Sequence, residues 1–138
     1  MILKAGTILI NKNKIGLIFR ENYKDYSFPK GHLESNETLL ECAIRETNEE
    51  TKREVILLKE SEIYIEQYKD SKGNDCECHY YLVRDNGHSD NDSTDTHDLV
   101  WVDYLNVGDT LSYESLKYLW NNIKEEVLRY IEDEEKNN

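Results

Sequence analysis

The sequence predicts an α/β (α+β) fold in which a mixed sheet is covered by helices. Three features predict it: short apolar runs separated by turn residues, a helical pattern after the first pair of runs, and a second helical pattern near the end. With 138 residues, the chain has the length of one compact domain and is too short for two. We therefore expect a single domain over residues 1–138, with one main site.

The first strands are predicted from two apolar runs, residues 5–10 and 15–20, which flank the turn sequence NKNK. This arrangement predicts an opening hairpin. A polar segment follows and leads to Pro29, the only proline, shortly before Gly31. A residue with a fixed φ close to a permissive one indicates a defined backbone bend at this point.

The first helix is predicted by apolar-face positions that recur at i, i+3, i+4 and i+7. These positions are Leu40, Ala43, Ile44 and Thr47. We expect the helix to run from Asn36 to about Thr51. Ser35 or Asn36 would be its N-cap, and Glu37 would lie in its first turn, where a carboxylate is favourable.

The second half of the chain is predicted to contain further strands and a terminal helix. Residues 53–70 and 77–85 are extended and are joined around SKGN, which predicts a longer hairpin. Residues 85–98 are polar and form a predicted mobile loop, and residues 99–105 form one more strand. A long helix is then predicted from about Ser112 to the charged tail EDEEKNN. Its apolar positions at helical spacing are Leu116, Leu119, Trp120, Ile123, Val127 and Ile131.

Composition and charge exclude several classes of protein. The formal net charge is -12, which argues against a surface that coats nucleic acid, because such binding needs Lys and Arg to neutralise phosphates. The chain shows no basic-then-apolar leader, and no apolar run approaches the length of a membrane span. The three cysteines are expected to be reduced thiols, so a soluble cytoplasmic protein is predicted.

The predicted first helix carries a cluster of carboxylates beside its apolar stripe. Three of them fall within about 100° of the helix circumference on one flank: Glu46, Glu49 and Glu50. Carboxylates so close repel one another unless a cation or shared protons intervene, so the cluster favours a bound Mg²⁺ over a solvated acidic face. Arg45 lies four residues before Glu49 and is expected to tie this flank to Glu37 and Glu41 on the other.

These residues together resemble the Nudix box, the signature of hydrolases that cleave a nucleoside diphosphate linked to another group. The matching pattern is Gly31, five residues, Glu37, seven residues, Arg45-Glu46, two residues and Glu49-Glu50. The resemblance extends from the opening hairpin to the last helix. It implies a Nudix-type α/β/α sandwich with a mixed, curved sheet between helices, and a hydrolase that uses Mg²⁺, with Mn²⁺ as a substitute.

The resemblance also implies roles for single residues. Glu46, Glu49 and Glu50 would hold divalent cations, and the carbonyl of Lys30 would complete the coordination. Glu49 or Glu50 would also act on the attacking water, a choice that stays open. Arg45 would orient the carboxylates. The implied reaction is metal-assisted attack of water on a phosphorus atom.

Other positions either support the motif or depart from it. Gly31 and Glu37 would support the loop and the start of the helix. The family usually has Gly where Lys52 stands, and aliphatic residues where Thr47 and Arg53 stand. Because the left-handed conformation is costly for a residue other than Gly, the helix is expected to end differently at Lys52.

Candidate substrate contacts come from the stretch FPKGHLE, which resembles a branch of dinucleoside polyphosphate hydrolases. In that branch a Lys and a His lie near the phosphate chain, so Lys30 and His32 are candidate phosphate contacts. The alternative is that Lys30 is a solvated loop residue. Tyr26 and Tyr81 are candidates to stack on a base, against the alternative that they pack in the core.

The leading hypothesis is a Mg²⁺-dependent pyrophosphohydrolase of dinucleoside polyphosphates such as diadenosine tetraphosphate. The same chemistry on nucleoside triphosphates, nucleotide sugars, ADP-ribose or RNA 5′ ends stays open, as does a Nudix-fold nucleotide sensor without catalysis. Asp95 or Asp98 could supply another acidic ligand. The expected partner is a nucleotide-type small molecule. No membrane and no strong nucleic-acid binding are expected, and the protein would be a monomer or a homodimer.

Overall fold

Residues 1–136, described by a computed structural model, form a mixed eight-stranded sheet with helices on both faces. The strands are β1 (Ile2–Asn11), β2 (Lys14–Arg20), β3 (Asp25–Ser27), β4 (Lys30–His32), β5 (Arg53–Leu57), β6 (Tyr64–Lys69), β7 (Asp75–His88) and β8 (Asp98–Asp103). The helices are α1 (Leu39–Thr51), α2 (Val107–Thr110) and α3 (Glu114–Lys136), with a 3₁₀ turn at Tyr104–Asn106. The predicted α/β/α sandwich is confirmed.

Strand β1 lies at the centre of the sheet. It pairs antiparallel with β2 through a tight turn, which confirms the opening hairpin. It also runs parallel to β7, starting with Ile2 opposite Cys76. The short strand β4 pairs antiparallel with the first half of β1, with Gly6 opposite Lys30. Because β2 pairs with the second half of β1 and β4 with the first, the sheet opens between these two strands.

Alternate residues of β1 face two different cores, because successive side chains of a strand point to opposite faces. Ile8 and Ile10 face the larger core. Ala5 faces the smaller core under α1, together with Cys42 and Ala43. The apolar positions predicted for α3 are all buried in the larger core: Leu116, Leu119, Trp120, Ile123, Val127 and Ile131.

The second predicted hairpin is present but interrupted. Strands β5 and β6 both pair antiparallel with β7, with Leu57 opposite Val83 and Tyr64 opposite Tyr80. The residues between β5 and β6 leave the sheet before the pairing resumes. Strand β7 continues to His88, so the start of the predicted polar loop belongs to this strand.

The terminal helix is longer than predicted. Helix α3 continues to Lys136, whereas it was expected to end where the charged tail EDEEKNN begins. Glu and Lys are good helix formers, so the end of the apolar pattern does not end the helix. The last two residues of the predicted tail, 137 and 138, lie outside the described residues.

None of the helices within residues 1–136 combines the length and the apolar character that a membrane crossing needs. The three cysteines are free and buried, as expected for reduced thiols.

The start of α1 differs from the prediction. Its N-cap is Thr38, not Ser35 or Asn36. The Thr38 hydroxyl accepts the Glu41 N–H, and the Glu41 carboxylate accepts the Thr38 N–H at 2.8 Å, which forms a capping box. Asn36 has a φ of 68°, so it belongs to the preceding turn. Glu41 therefore serves the cap, and Glu37 precedes the helix instead of lying in its first turn.

Replacing Thr38 by Ala is expected to lower the free energy of unfolding by about 1 kcal/mol, because an N–H group at the start of α1 loses its acceptor. Urea denaturation followed by circular dichroism measures this change. Ser35→Ala is the matched control, since Ser35 is exposed and outside the helix, and it should change the free energy by less than about 0.5 kcal/mol. A larger effect at Ser35 than at Thr38 would contradict the observed cap.

Candidate active site

Glu50 is a buried acid in the last turn of α1, with only 8% of its surface exposed. Its Oε1 accepts the backbone N–H of Lys30 at 2.8 Å, which joins the helix to β4. Its Oε2 lies 3.6 Å from Nε2 of His97. Burial raises the pKa of Glu50 to about 8, and a nearby cation would lower it.

Glu46 lies one turn earlier and packs directly against Gly31. A methyl group on Gly31 would overlap the Glu46 carboxylate, so a larger residue fits there only if Glu46 moves. Burial also raises the pKa of Glu46. Gly31 does not have a positive φ. The glycine of the motif is therefore required by the space that Glu46 occupies, and not by the bend after Pro29.

Arg45 connects the acidic residues of α1 to the loop before the helix. Its Nε and Nη2 donate to the two oxygens of Glu37 at 3.0 and 2.8 Å, and Nη2 also donates to the His32 carbonyl at 3.1 Å. Its Nη1 donates to Glu46 at 2.9 Å and to Glu49 at 3.1 Å. The bonds from Arg45 to Glu37 lower the pKa of Glu37 to about 2. Arg45 thus joins Glu37 to Glu46 and Glu49. Glu41, predicted to share the flank with Glu37, bonds to the N-cap instead.

The donor atoms of this cluster suit a hard divalent cation. Glu46, Glu49 and Glu50 supply carboxylate oxygens, the ligand type that Mg²⁺ and Mn²⁺ prefer. Glu46 and Glu50 are desolvated enough to raise their pKa values, and a cation would compensate the burial of their charge. Within residues 1–136, no three metal-ligating side chains already converge on one point. Nη1 of Arg45 contacts both Glu46 and Glu49, so these carboxylates would have to exchange part of that contact for an ion.

Two cavities meet beside Glu50 and Lys30, and both residues line each of them. The larger cavity, of about 630 Å³, is mostly polar and also contacts residues 94–97. The smaller cavity, of about 380 Å³, extends over the face of the sheet that α3 covers and has apolar walls at Ile18 and Leu116. Together they form one cleft that passes Glu46 and Glu50 of α1, whereas Glu49 lines neither cavity.

The structure places only some of the predicted substrate residues in this cleft. Lys30 lines both cavities, and His32 lines the larger one. The prediction of Tyr81 as a base contact is wrong, because Tyr81 is 6% exposed and packs in the smaller core under α1. Tyr26 packs against the larger core, with its ring centroid 4.8 Å from that of Phe19. Its ring therefore belongs to the core and not to the lining of the cleft.

Several residues of the smaller cavity were not predicted from the sequence. They include Lys4, Arg20, Glu66, Tyr68, Lys69 and Tyr113. The ammonium groups of Lys4 and Lys30 lie 5.5 and 5.3 Å from the centre of the Tyr68 ring. The residues come from β1, β2, β6 and the segment before α3, so only the tertiary structure brings them together. From the sequence, only the period-two spacing of Glu66 and Tyr68 could have indicated that these two side chains share one face of a strand.

Helix α1 ends at Lys52, which has a φ of 58° and takes the left-handed conformation of a C-cap. The expectation that the helix would end differently is therefore wrong. The Lys52 ammonium donates to the carbonyl of Asn91 at 2.6 Å and to that of Ser93 at 3.1 Å. These bonds offset the cost of a left-handed residue other than Gly.

The polar loop, residues 89–97, is attached to the end of α1. In addition to the contacts of Lys52, the His97 N–H donates to the Glu50 carbonyl at 2.9 Å. Asp95 and His97 consequently line the larger cavity. Asp98 is instead the first residue of β8. Of the two aspartates considered as further acidic ligands, Asp95 is the one at the cavity.

The comparison with known proteins agrees with this fold. A family model described as the NUDIX domain matches residues 2–130, and the chain therefore belongs to the Nudix family. It is a pyrophosphohydrolase of that family. Nudix hydrolases generally need a divalent metal ion.

Solved structures with the same fold have several different names. An Ap4A hydrolase from C. elegans in a binary complex is 20% identical, with a TM-score of 0.77 over 93% of this chain and 98% of that chain. A NUDIX hydrolase from Nitrosomonas europaea is 16% identical, with a TM-score of 0.73 over 88% and 86%. An ADP-ribose pyrophosphatase from Streptococcus suis is 17% identical, with a TM-score of 0.68 over 91% of each chain. At these identities, the likeness establishes the fold.

Proposed function

We propose that this Nudix hydrolase cleaves dinucleoside polyphosphates, such as diadenosine tetraphosphate, in a Mg²⁺-dependent reaction. The observation that carries the proposal is the cleft, which continues on both sides of Glu50 and Lys30. A substrate with a nucleoside at each end of its phosphate chain would occupy both cavities, whereas a nucleoside triphosphate needs only one. The name of one structural neighbour, Ap4A hydrolase, supports the same substrate class.

The charges of the smaller cavity also support a polyphosphate substrate. Four basic side chains line it, although the net charge of the whole chain is -12: Lys4, Arg20, Lys30 and Lys69. Arg20 is oriented by Asp25 through two bonds of 2.8 and 2.6 Å. Such a local excess of positive charge attracts phosphate groups that the rest of the surface repels.

The roles proposed for single residues follow from their contacts. Glu46, Glu49 and Glu50 would hold Mg²⁺, which when bound supplies charge neutralisation and a more acidic water. Arg45 holds Glu46 and Glu49 through Nη1. The backbone N–H of Lys30 donates to Glu50 and so fixes the position of its carboxylate. The Lys30 carbonyl as a further ligand, and the choice of Glu49 or Glu50 as the base, stay predictions.

The proposal is tested by incubating the protein with Mg²⁺ and a panel of substrates, and by separating the products by chromatography. The panel contains diadenosine polyphosphates, nucleoside triphosphates, a nucleotide sugar, ADP-ribose and triphosphorylated RNA. We expect the highest kcat/KM for a diadenosine polyphosphate. EDTA should abolish product formation, and Mg²⁺ or Mn²⁺ should restore it.

Other outcomes would lead to other functions. A higher kcat/KM for a triphosphate, a nucleotide sugar or ADP-ribose would assign this chain to a different substrate class and end the dinucleoside proposal. Binding of a nucleotide without any product would instead favour the sensor. The cytoplasmic location, and the choice between a monomer and a homodimer, stay predictions that fractionation and light scattering can check.

A further inference from the structure

We propose that Glu66 reads the nucleobase of the substrate, by accepting a hydrogen bond from an exocyclic amino group in the smaller cavity. The inference rests on the proposed function, since it assumes that the cleft takes a nucleotide. It assigns the smaller cavity to an amino-bearing base and places the phosphate chain beside Lys30 and Glu50.

The sheet register places Glu66 on the floor of the smaller cavity. Glu66 lies opposite Cys78 of β7, and Cys78 in turn lies opposite Lys4 of β1. Tyr68 lies two residues further along β6 on the same face, because strand side chains alternate. Lys4, Glu66 and Tyr68 all line the cavity. Tyr80 follows Cys78 at the same period on β7, and its side chain is fully buried in the adjoining larger core.

Buried polar atoms of this floor have no hydrogen-bond partner within residues 1–136. They are the Oε1 of Glu66, the phenol oxygen of Tyr68 and the phenol oxygen of Tyr80. Glu66 is only 8% exposed, so bulk water cannot compensate for the missing bond. Glu66 and Tyr68 both line the cavity, and unpartnered polar atoms on its wall indicate that a bound molecule supplies the partners.

The chemistry of these atoms selects the ligand group. A carboxylate only accepts hydrogen bonds, so Glu66 needs an N–H or O–H donor from the ligand, and it would repel a phosphate. The phenol group of Tyr68 both donates and accepts, and can therefore satisfy a ring nitrogen or a carbonyl oxygen beside that donor. A nucleobase with an exocyclic amino group presents this combination on one edge.

The walls of the smaller cavity suit the same ligand. Its volume of about 380 Å³ can hold a base, and the apolar side chains of Ile18 and Leu116 line it. The ring of Tyr68 adds an aromatic surface. Lys4 and Lys30 lie over that ring, close to where the phosphates would begin. The site therefore combines a base-reading floor with a basic rim.

The test measures binding of nucleoside monophosphates by isothermal titration calorimetry with Mg²⁺ present. Monophosphates contain no anhydride bond, so they bind without being cleaved. Two pairs differ only in an amino group: GMP with IMP, and AMP with the monophosphate of purine riboside. We expect the amino-bearing member of at least one pair to bind roughly 10- to 100-fold more tightly. In Glu66→Leu, the two members should bind within about twofold of each other.

Gln67→Leu is the matched control, because Gln67 is the exposed neighbour on the same strand and points to the opposite face. It should keep the preference of the unmodified protein. If circular dichroism shows that Glu66→Leu does not fold, Glu66→Gln takes its place and should lose part of the preference, since an amide is a weaker acceptor than a carboxylate.

Three results would overturn the proposal: equal binding within both pairs, a preference unchanged by substitution of Glu66, or no measurable binding of any of the four nucleotides. The outcome can be separated from that of the proposed function. A Glu66-dependent preference without cleavage of any panel substrate would keep the base site and end the proposed function. Cleavage of diadenosine polyphosphates without a base preference would do the reverse.

Discussion

Replacing Glu50 by Gln is expected to lower kcat by about 10²- to 10⁴-fold and to leave the protein folded. Gln keeps the size of the side chain and one acceptor oxygen, so it can retain the 2.8 Å bond from the Lys30 N–H. It removes the negative charge that we propose for the cation and the attacking water. Because a buried carboxylate without a cation destabilises a fold, the melting temperature in metal-free buffer should stay the same or rise. Steady-state kinetics with Mg²⁺ and thermal unfolding without it measure the two effects.

Glu54→Gln is the control for the loss of one carboxylate, since Glu54 is exposed on β5 and lies outside the cleft. It should leave both kcat and the melting temperature unchanged. A fall in kcat of less than tenfold for Glu50→Gln would remove Glu50 from the proposed machinery. Glu49→Gln extends the comparison, because Glu49 is more exposed, at 27%, and bonds to Arg45. The variant with the larger loss of kcat at saturating Mg²⁺ is the better candidate for the base.

The acidic flank of α1 could be predicted from the sequence, because helical geometry alone fixes the positions of residues three and four apart. Arg45 contacts Glu49, four residues later, as that geometry requires, whereas its contact with the adjacent Glu46 does not follow from this spacing. Its bond to Glu37 has a different origin. Glu37 lies before the helix and is brought to Arg45 by a turn with Asn36 at a φ of 68°. Periodicity cannot predict such a turn, and for the same reason it misplaced the N-cap.

The aromatic residues show a second limit of the sequence. Strand alternation correctly separates Tyr80 and Tyr81 onto opposite faces. It does not say which face the cleft uses, because that depends on the parallel register of β7 with β1, a contact far apart in sequence. Tyr80 lies on the cleft side of the sheet and Tyr81 lies under α1. Alternation alone therefore could not show that Tyr81 lies on the face away from the cleft, and Tyr80 is itself fully buried in the larger core.

Gly31→Ala is expected to lower kcat/KM by about 10²-fold or more while it changes the stability little. The added methyl group would overlap the carboxylate of Glu46, which is the far end of a flexible side chain. We expect Glu46 to rotate away, so that its bond to Nη1 of Arg45 breaks and its oxygens leave the cluster. The backbone is not strained by Ala, because Gly31 does not have a positive φ. Kinetics at several Mg²⁺ concentrations and thermal unfolding measure the effect.

Gly108→Ala is the matched control, because a methyl group on Gly108 would meet Trp120 at an ordinary contact distance of 3.6 Å. It should leave kcat/KM unchanged. Unfolding of Gly31→Ala, or activity close to that of the unmodified protein, would contradict the assigned role of the glycine.

A double variant tests whether the effect of Gly31→Ala passes through Glu46. In Glu46→Ala the carboxylate is gone, and the methyl group on residue 31 no longer meets the three Glu46 atoms that lie nearest to it. Adding Gly31→Ala to Glu46→Ala should therefore lower kcat/KM by less than about threefold beyond the loss from Glu46→Ala alone, a strongly non-additive result. Fully additive losses would mean that Gly31 acts through the backbone conformation of β4, and not through the space that Glu46 occupies. In that case the role of Gly31 is to hold the Lys30 N–H in its hydrogen bond to Glu50.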